Sequence, residues 1–280
     1  MMHQDPAGNR QDNDPLQPYE EALKTRVPSR NELLAEAKAF SARQRRRKQT
    51  LAGGLSVLAL GVGLWVADPA WRSEEQRTAV GQSKSLLLAD GSRVVLNSAT
   101  VLQVESRLRS RQIELVEGEA TFTVAHGPKP FTVRSQGVSV RDIGTAFNVR
   151  SDRRGVSVTV LEGAVAVGNA TSPELRLEAG QQMTSTRSSL GLVQAVDADR
   201  AIAWQHGKLR FDGTPLQDVL VDIQRYRTAP IRLADPRVTG LRVSGEFDSQ
   251  AVEALIDLLP SILPVQVSRR PDGSVEVGAR

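Results

Sequence analysis

The sequence predicts a single-pass membrane protein that carries an all-β domain and then a small α+β domain on one side of the bilayer. Three observations lead there. An uncharged, mostly apolar run extends from Gln49 to Ala67, about the length a helix needs to cross a bilayer core. From about Ala79 to Val196, short alternating apolar runs are separated by turns containing Gly, Asp or Ser, the pattern of many short strands. After Asp197, segments with a helical apolar period return between short strands.

Residues 1–15 are rich in Asp, Asn, Gln, Gly and Pro without apolar periodicity, which predicts disorder. A short helix is expected over Tyr19–Arg26, ended by Pro28. Ser29 and Glu32 have the spacing of a capping box and open a helix through about Arg47. Leu33, Ala37 and Phe40 share one face of it. With Leu34 they make a stripe that suits a docked partner. Arg43, Arg45, Arg46, Arg47 and Lys48 precede the apolar run, and Asp68, Pro69 and Trp71 follow it. The basic cluster favours the cytoplasmic side, and Trp65 and Trp71 suit the far interface. The expected segments are 1–48 in the cytoplasm, 49–67 as the span, and two periplasmic domains over 68–196 and 197–280. A cleaved signal peptide fits less well, because 48 mostly polar residues precede the run. A buried globular helix fits less well too, because the run has no polar face.

In the β region, Ser85–Leu88 meets Val94–Leu96 across Asp90-Gly91-Ser92 as a hairpin. Further strands are expected at Val101–Val104, Ile113–Val116, Ala120–Val124, Phe131–Arg134, Val138–Arg141, Ala146–Val149, Val156–Leu161 and Ala164–Val167. Leu175–Leu177 and Gln181–Met183 close the series, giving a sandwich or a solenoid-like stack. Beyond it, Lys208–Phe211 reads as a strand. Thr214 as cap, Pro215 at the first position and Gln217 open a helix facing inward through Leu216, Val219, Leu220 and Ile223. Strands follow at Ile231–Leu233 and Leu241–Ser244. A second helix, Ser249–Leu259, faces inward through Val252, Leu255, Ile256 and Leu259 and is stopped by Pro260. Val265–Val267 and Val275–Val277 flank the turn Pro271-Asp272-Gly273. The order is β-α-β-β-α-β-β.

Composition excludes several chemistries. There is no cysteine, hence no disulfide, thiolate nucleophile or Cys-ligated zinc. The three histidines, His3, His126 and His206, are far apart and in no metal-binding spacing. No metal or cofactor is expected. The net charge of +4 permits nucleic-acid binding, but the one dense basic run abuts the apolar helix and has no interleaved aromatics. Direct nucleic-acid contact is not expected. Asp90-Gly91-Ser92 and Asp272-Gly273-Ser274 are turns, and no Gly-x-Ser-x-Gly accompanies them. Glu117 and Glu119 read as a solvated strand end. No catalytic constellation is present, so an enzyme is not expected.

A series of short motifs runs through the β region in order. It comprises Leu88-Ala-Asp90-Gly91-Ser92 through Leu96-Asn97, then Arg111 with Leu115-Val-Glu117-Gly118-Glu119-Ala120 and Phe122. Lys129-Pro130-Phe131, Ile143-Gly144-Thr145-Ala-Phe147, Leu161-Glu162-Gly163, Ala179-Gly180-Gln181 and Trp204 through Phe211 continue it. This series resembles the FecR family of membrane-spanning regulators of iron uptake. Pro215-Leu216, Arg225-Tyr226, Leu241-Arg-Val-Ser-Gly245-Glu-Phe247 and Leu263-Pro264-Val265 extend the likeness. They resemble the short domain at the N-termini of secretins and TonB-dependent receptors.

The resemblance implies a bacterial inner-membrane protein that relays a signal from the signalling domain of a TonB-dependent siderophore or iron receptor to a cytoplasmic extracytoplasmic-function sigma factor. It also implies intramembrane and periplasmic proteases as partners. Leu33, Leu34 and Phe40, with Tyr19 and Leu23, are then the anchors for the sigma factor. Leu241, Val243, Gly245 and Phe247 are the candidates on the receptor side. Typical members carry a longer, Trp-containing N-terminal domain, whereas no Trp precedes Trp65 here. That departure favours the alternative, a membrane-anchored periplasmic binding or scaffold module with no transcriptional role. Some members resemble self-cleaving proteins at the bond matching Gly144-Thr145. There the threonine hydroxyl attacks the glycine carbonyl, with Asp142 near enough in sequence to take the proton. The plain alternative is a bulge at Gly144 and a strand starting at Thr145.

Overall fold

Ser29 and Glu32 form the expected reciprocal cap. Ser29 N donates to Glu32 Oε2 at 2.8 Å, and Glu32 N donates to Ser29 Oγ at 3.3 Å. From there one helix, α1 (Arg30–Ala67), runs unbroken for 38 residues. The computed structural model describes residues 29–280, apart from the side chains of residues 46–53, 55 and 56. The expected disordered start, the helix at Tyr19–Arg26 and the anchors Tyr19 and Leu23 lie outside the described residues, as do several side chains of the expected span. Among the described residues, no helix is long and apolar enough to cross a membrane. The chain divides into two units, one ending at Ala67 and the other formed by Asp68–Arg280.

The second unit opens with β1 (Arg72–Arg77), β2 (Lys84–Leu87), β3 (Arg93–Leu96), β4 (Val101–Ser106) and β5 (Arg111–Thr123). Then come β6 (Phe131–Ser135), β7 (Val138–Asp142), β8 (Ala146–Asp152) and β9 (Gly155–Glu162). β10 (Ala164–Asn169), β11 (Leu175–Glu178), β12 (Gln181–Ser185) and β13 (Gln194–Ala195) complete a 13-stranded sheet. The sequence suggests two strands at 113–116 and 120–124; instead β5 is one strand of 13 residues. Its first half pairs with β4 and β6, and its second half with β3 and β8. Gly118 sits at the changeover with φ 95°, its Cα side pressed on Thr100. Only glycine tolerates that combination of backbone and contact. The one strand thus serves two layers, curled around one core. Within this sheet, β5–β6 is parallel and the other pairings are antiparallel.

Phe122 anchors the core, stacked on Phe147 at 5.3 Å and edge-on to Phe131 at 6.1 Å. The valines of β6 to β10 surround them. The Asp90-Gly91-Ser92 turn forms as expected, with Gly91 at φ 85° and Asp90 accepting from Ser92 N at 3.0 Å. β6 and β7 are joined by Gln136 and Gly137, both at positive φ, the geometry that matches strand twist in a two-residue hairpin loop. β1 and β13 escape the sequence pattern. β1 is an exposed edge strand of charged and polar residues, Arg-Ser-Glu-Glu-Gln-Arg, so it shows no alternation to detect.

The C-terminal part contains α2 (Ala198–Ala201), a 3₁₀ turn at Ala203–His206, β14 (Lys208–Pro215), α3 (Leu216–Gln224) and β15 (Ile231–Leu233). A second 3₁₀ turn at Pro236–Val238, β16 (Arg242–Asp248), α4 (Val252–Ile262), β17 (Val265–Arg269) and β18 (Val275–Ala279) follow. Its order of strands and long helices is the expected one, and all eight predicted inward residues of α3 and α4 are buried. Some local expectations need correction. Thr214 does not cap α3 and Pro215 is not its first residue; both belong to β14, opposite Val243 and Arg242. The free N–H groups of Leu216 and Gln217 are taken by the carbonyls of Leu241 and Thr239, at 2.7 and 3.2 Å. The second helix starts at Val252 and not at Ser249. Pro260 does not stop α4, which continues to Ile262. A proline in the last turn removes one hydrogen bond, and Leu263 N still reaches Leu259 O at 2.9 Å.

Candidate functional site

The first site is a buried polar clasp joining the β-sheet to the C-terminal domain. Glu119 lies in β5 just after the Gly118 changeover and is only 5 % exposed; the expected solvated strand end is corrected, since Glu117 is exposed but lies within the continuous β5 and Glu119 is buried. Its carboxylate accepts from Asn97 Nδ2 and Asn148 Nδ2, both at 2.8 Å, and from Arg225 Nη1 at 2.5 Å. Arg225 ends α3 in the C-terminal domain, so this ion pair crosses between domains. Tyr226 donates to Asn97 Oδ1 at 3.0 Å, and Ser98 Oγ donates to the Arg225 carbonyl at 2.5 Å. Nearby, Arg150 pairs with Asp222, and Arg154 with Asp218 at 2.9 Å. Gln205 Nε2 reaches Thr121 Oγ1 at 2.7 Å.

Burial pushes the Glu119 carboxyl up, but the charges of Arg225 and Arg150 and the hydrogen bonds outweigh it and hold it below the ordinary carboxylate range. Burial likewise opposes the charge of Arg150, yet Asp222 and Glu119 keep it firmly protonated. Burial also raises the Tyr226 phenol to about 12.

The second site is Gly144-Thr145, between β7 and β8. Gly144 has φ 92°, a conformation that side chains rarely adopt. Thr145 is buried, and its hydroxyl donates to Asp142 Oδ1. Gly144 N donates to Asp142 Oδ2 at 3.1 Å, so one carboxylate grips both residues. His126 lies beside Gly144, and Gly163 is pressed against the Gly144 carbonyl with no room for a Cβ. β8 begins at Ala146, and its register with β9 shifts between Ala146 and Phe147, so Thr145 sits at a kink before the strand. The positioned hydroxyl, acceptor and glycine carbonyl are the components of an N-to-O acyl shift.

The partner candidates divide by burial. Leu33, Leu34 and Phe40 on α1 are 49 %, 50 % and 70 % exposed. On β16, Val243 is buried in the core, Phe247 and, just before the strand, Leu241 pack against that core, and Gly245 is closed off by the Phe247 ring. What β16 leaves open is its backbone. Ser249 N donates to Gly207 O at 2.8 Å toward β14, so antiparallel alternation turns the N–H of Glu246 outward. Among the described residues, no strand pairs with that edge. No group of three or more potential metal ligands occurs among the described residues.

Residues 74–166, from β1 into β10, match the family model of the FecR protein. The match supports a FecR-family protein. The match holds Glu119, Gly144 and Thr145, whereas Arg225 lies beyond it. Two crystal structures of a candidate anti-sigma factor from Parabacteroides distasonis ATCC 8503 are similar to this chain. One, at 2.50 Å resolution, is 28% identical with a TM-score of 0.65, covering 75% of this chain and 100% of that one. The other, at 1.65 Å, is 29% identical with a TM-score of 0.65, covering 74% and 99%. No curated protein matches. The family match and these neighbours support an anti-sigma-factor-like regulator.

Sequence reasoning missed the clasp. Glu119, Asn97, Arg225 and Tyr226 all stood within the family motifs, but partners 106 residues apart in sequence, as Glu119 and Arg225 are, show no local pattern.

Proposed function

We propose that this chain is a FecR-family, single-pass inner-membrane regulator that relays a signal from an outer-membrane TonB-dependent iron or siderophore receptor to a cytoplasmic extracytoplasmic-function sigma factor. The observation that carries the reading is the likeness to candidate anti-sigma factors across three quarters of the chain. The apolar run behind the basic cluster of 43–48 supports a span at 49–67, with residues 1–48 in the cytoplasm and 68–280 in the periplasm. The exposed Leu33, Leu34 and Phe40 offer an apolar helix face to the sigma factor. The open edge of β16 offers main-chain pairing to the receptor's signalling domain. The Glu119–Arg225 clasp links the receptor-facing domain to the sheet.

The test is capture from cells by the full chain. Leu33→Asp with Phe40→Asp is expected to lose the sigma factor encoded beside it. Glu246→Pro, which removes an outward N–H, is expected to lose the signalling domain and keep the sigma factor. Unchanged capture by both variants overturns these contacts, and capture of no sigma factor by the unsubstituted chain favours the scaffold reading. For topology, an alkaline phosphatase fused after Val196 is expected to be active, and one after Asp14 inactive. The opposite pattern overturns the orientation.

A second proposal concerns Gly144-Thr145, motivated by the hydrogen bond from Thr145 to Asp142. The Thr145 hydroxyl gives its proton to Asp142 and attacks the Gly144 carbonyl carbon. The C–N bond breaks, the nitrogen takes up a proton, and an ester joins Gly144 to Thr145 Oγ. Water then hydrolyses the ester, leaving a Gly144 carboxylate and a new N-terminus at Thr145. This occurs once per molecule, as maturation, before membrane and periplasmic proteases act.

A further inference from the structure

A cleft of about 380 Å³ lies between the second layer of the sheet and the C-terminal domain. Polar side chains of β8, β9 and β12 line one side, among them Thr159 and Gln182. Five carboxylates line it: Glu119, Asp152, Asp197, Asp218 and Asp222. All five are engaged. Glu119 pairs with Arg225, Asp152 with Arg150 and Arg154, Asp218 with Arg154, and Asp222 with Arg150. Asp197 accepts from the Asp199 and Arg200 N–H groups at the start of α2.

What remains is an excess of donors. Trp204 is 7 % exposed, and its indole Nε1 is buried without a hydrogen-bond partner. Nη2 of Arg225 is also buried and unpartnered. Arg200 and Lys208 line the same cleft. Among the described residues, neither has a carboxylate within ion-pair distance of its side chain. Buried donors without acceptors are costly, and cations facing a partly enclosed space attract an anion more strongly than they do in open solvent.

We propose that this cleft binds a small oxyanion, a carboxylate or phosphate group, held by Trp204 Nε1, Arg225, Arg200 and Lys208. Because the cleft is walled by both domains, its occupant stiffens their clasp. The regulator then has a small-molecule input separate from its protein partners. This goes beyond the relay proposed above and does not depend on it.

The chain has three tryptophans, and Trp65 and Trp71 are exposed. Replacing both with Phe leaves Trp204 as the sole tryptophan in the full chain, read by selective indole excitation that leaves Tyr19 and Tyr226 dark. Inorganic phosphate and malonate are titrated separately at ionic strength matched with chloride. In parallel, the unfolding temperature of the unsubstituted chain is followed. The expected result is a saturable change in Trp204 emission and a saturable rise in unfolding temperature. Arg200→Gln and Lys208→Gln should each weaken binding by roughly tenfold, and Lys84→Gln, outside the cleft, should not. Saturation by phosphate alone assigns a phosphate ligand, by malonate alone a carboxylate, and by both the shared oxyanion chemistry. No saturable response beyond the chloride control in either readout, or unweakened binding by Arg200→Gln and Lys208→Gln, overturns the proposal.

Discussion

Replacing Glu119 by Ala is expected to destabilise the Asp68–Arg280 unit by about 3–5 kcal/mol, the usual cost of removing one partner from a buried ion pair. The substitution strands Arg225, and it deprives Asn97 and Asn148 of their acceptor. Glu119→Gln keeps the volume and one acceptor oxygen and should cost less. A pH dependence follows. The carboxyl is held below its ordinary value of 4.5 in the folded chain. The unfolded chain therefore takes up the proton first as the solution is acidified. The stabilisation is fully present above about pH 4.5 and is lost as pH falls through the lower folded value. Urea unfolding at neutral and acid pH measures both effects. Equal midpoints for Glu119→Ala and the unsubstituted chain at neutral pH would show that the clasp does not hold the domains together. Loss of receptor-domain coupling in Glu119→Gln, with little loss of stability, is expected if the clasp transmits the signal.

Thr145→Ala is expected to abolish cleavage between Gly144 and Thr145, leaving one full-length band when both ends are tagged. No acyl acceptor remains in that variant. Thr145→Ser keeps the hydroxyl and should cleave, and Thr145→Cys should cleave through a thioester. Asp142→Asn removes the proton acceptor seen on Oγ1 and should slow cleavage by about a hundredfold. Gly163→Ala tests the geometry without touching the reacting residues. A Cβ there collides with the Gly144 carbonyl, so the peptide must rotate and cleavage should slow. If the unsubstituted chain itself yields a single full-length band under conditions where the regulator is active, Gly144-Thr145 is only a kink leading into β8.

The sequence reached much of the architecture because local physics decides it. The cap at Ser29, the turns at Gly91 and Gly273, and the apolar faces of α3 and α4 depend on residues within a few positions of one another. The same holds for Gly144-Thr145, where acceptor, glycine and hydroxyl lie within four consecutive residues. β1 was not legible, because an exposed edge strand needs no apolar alternation and is held by pairing with β4. Nor was the continuity of β5 through Gly118. The sequence presents glycine as a break, and only the packing of Thr100 against it explains why the strand continues.

By itself the sequence determined the apolar run behind its basic cluster, the change from β to α+β near residue 197, the inward faces of the helices and the family motifs. Each is a periodicity, a composition or a short-range pattern. Tertiary structure decided that one curled sheet is shared by two layers through β5. It also decided that Glu119 is buried against Arg225 rather than solvated, and that cationic and indole donors face a common cleft. These depend on which distant segments meet. A charged side chain carries no mark of its burial until a partner of opposite sign is folded against it.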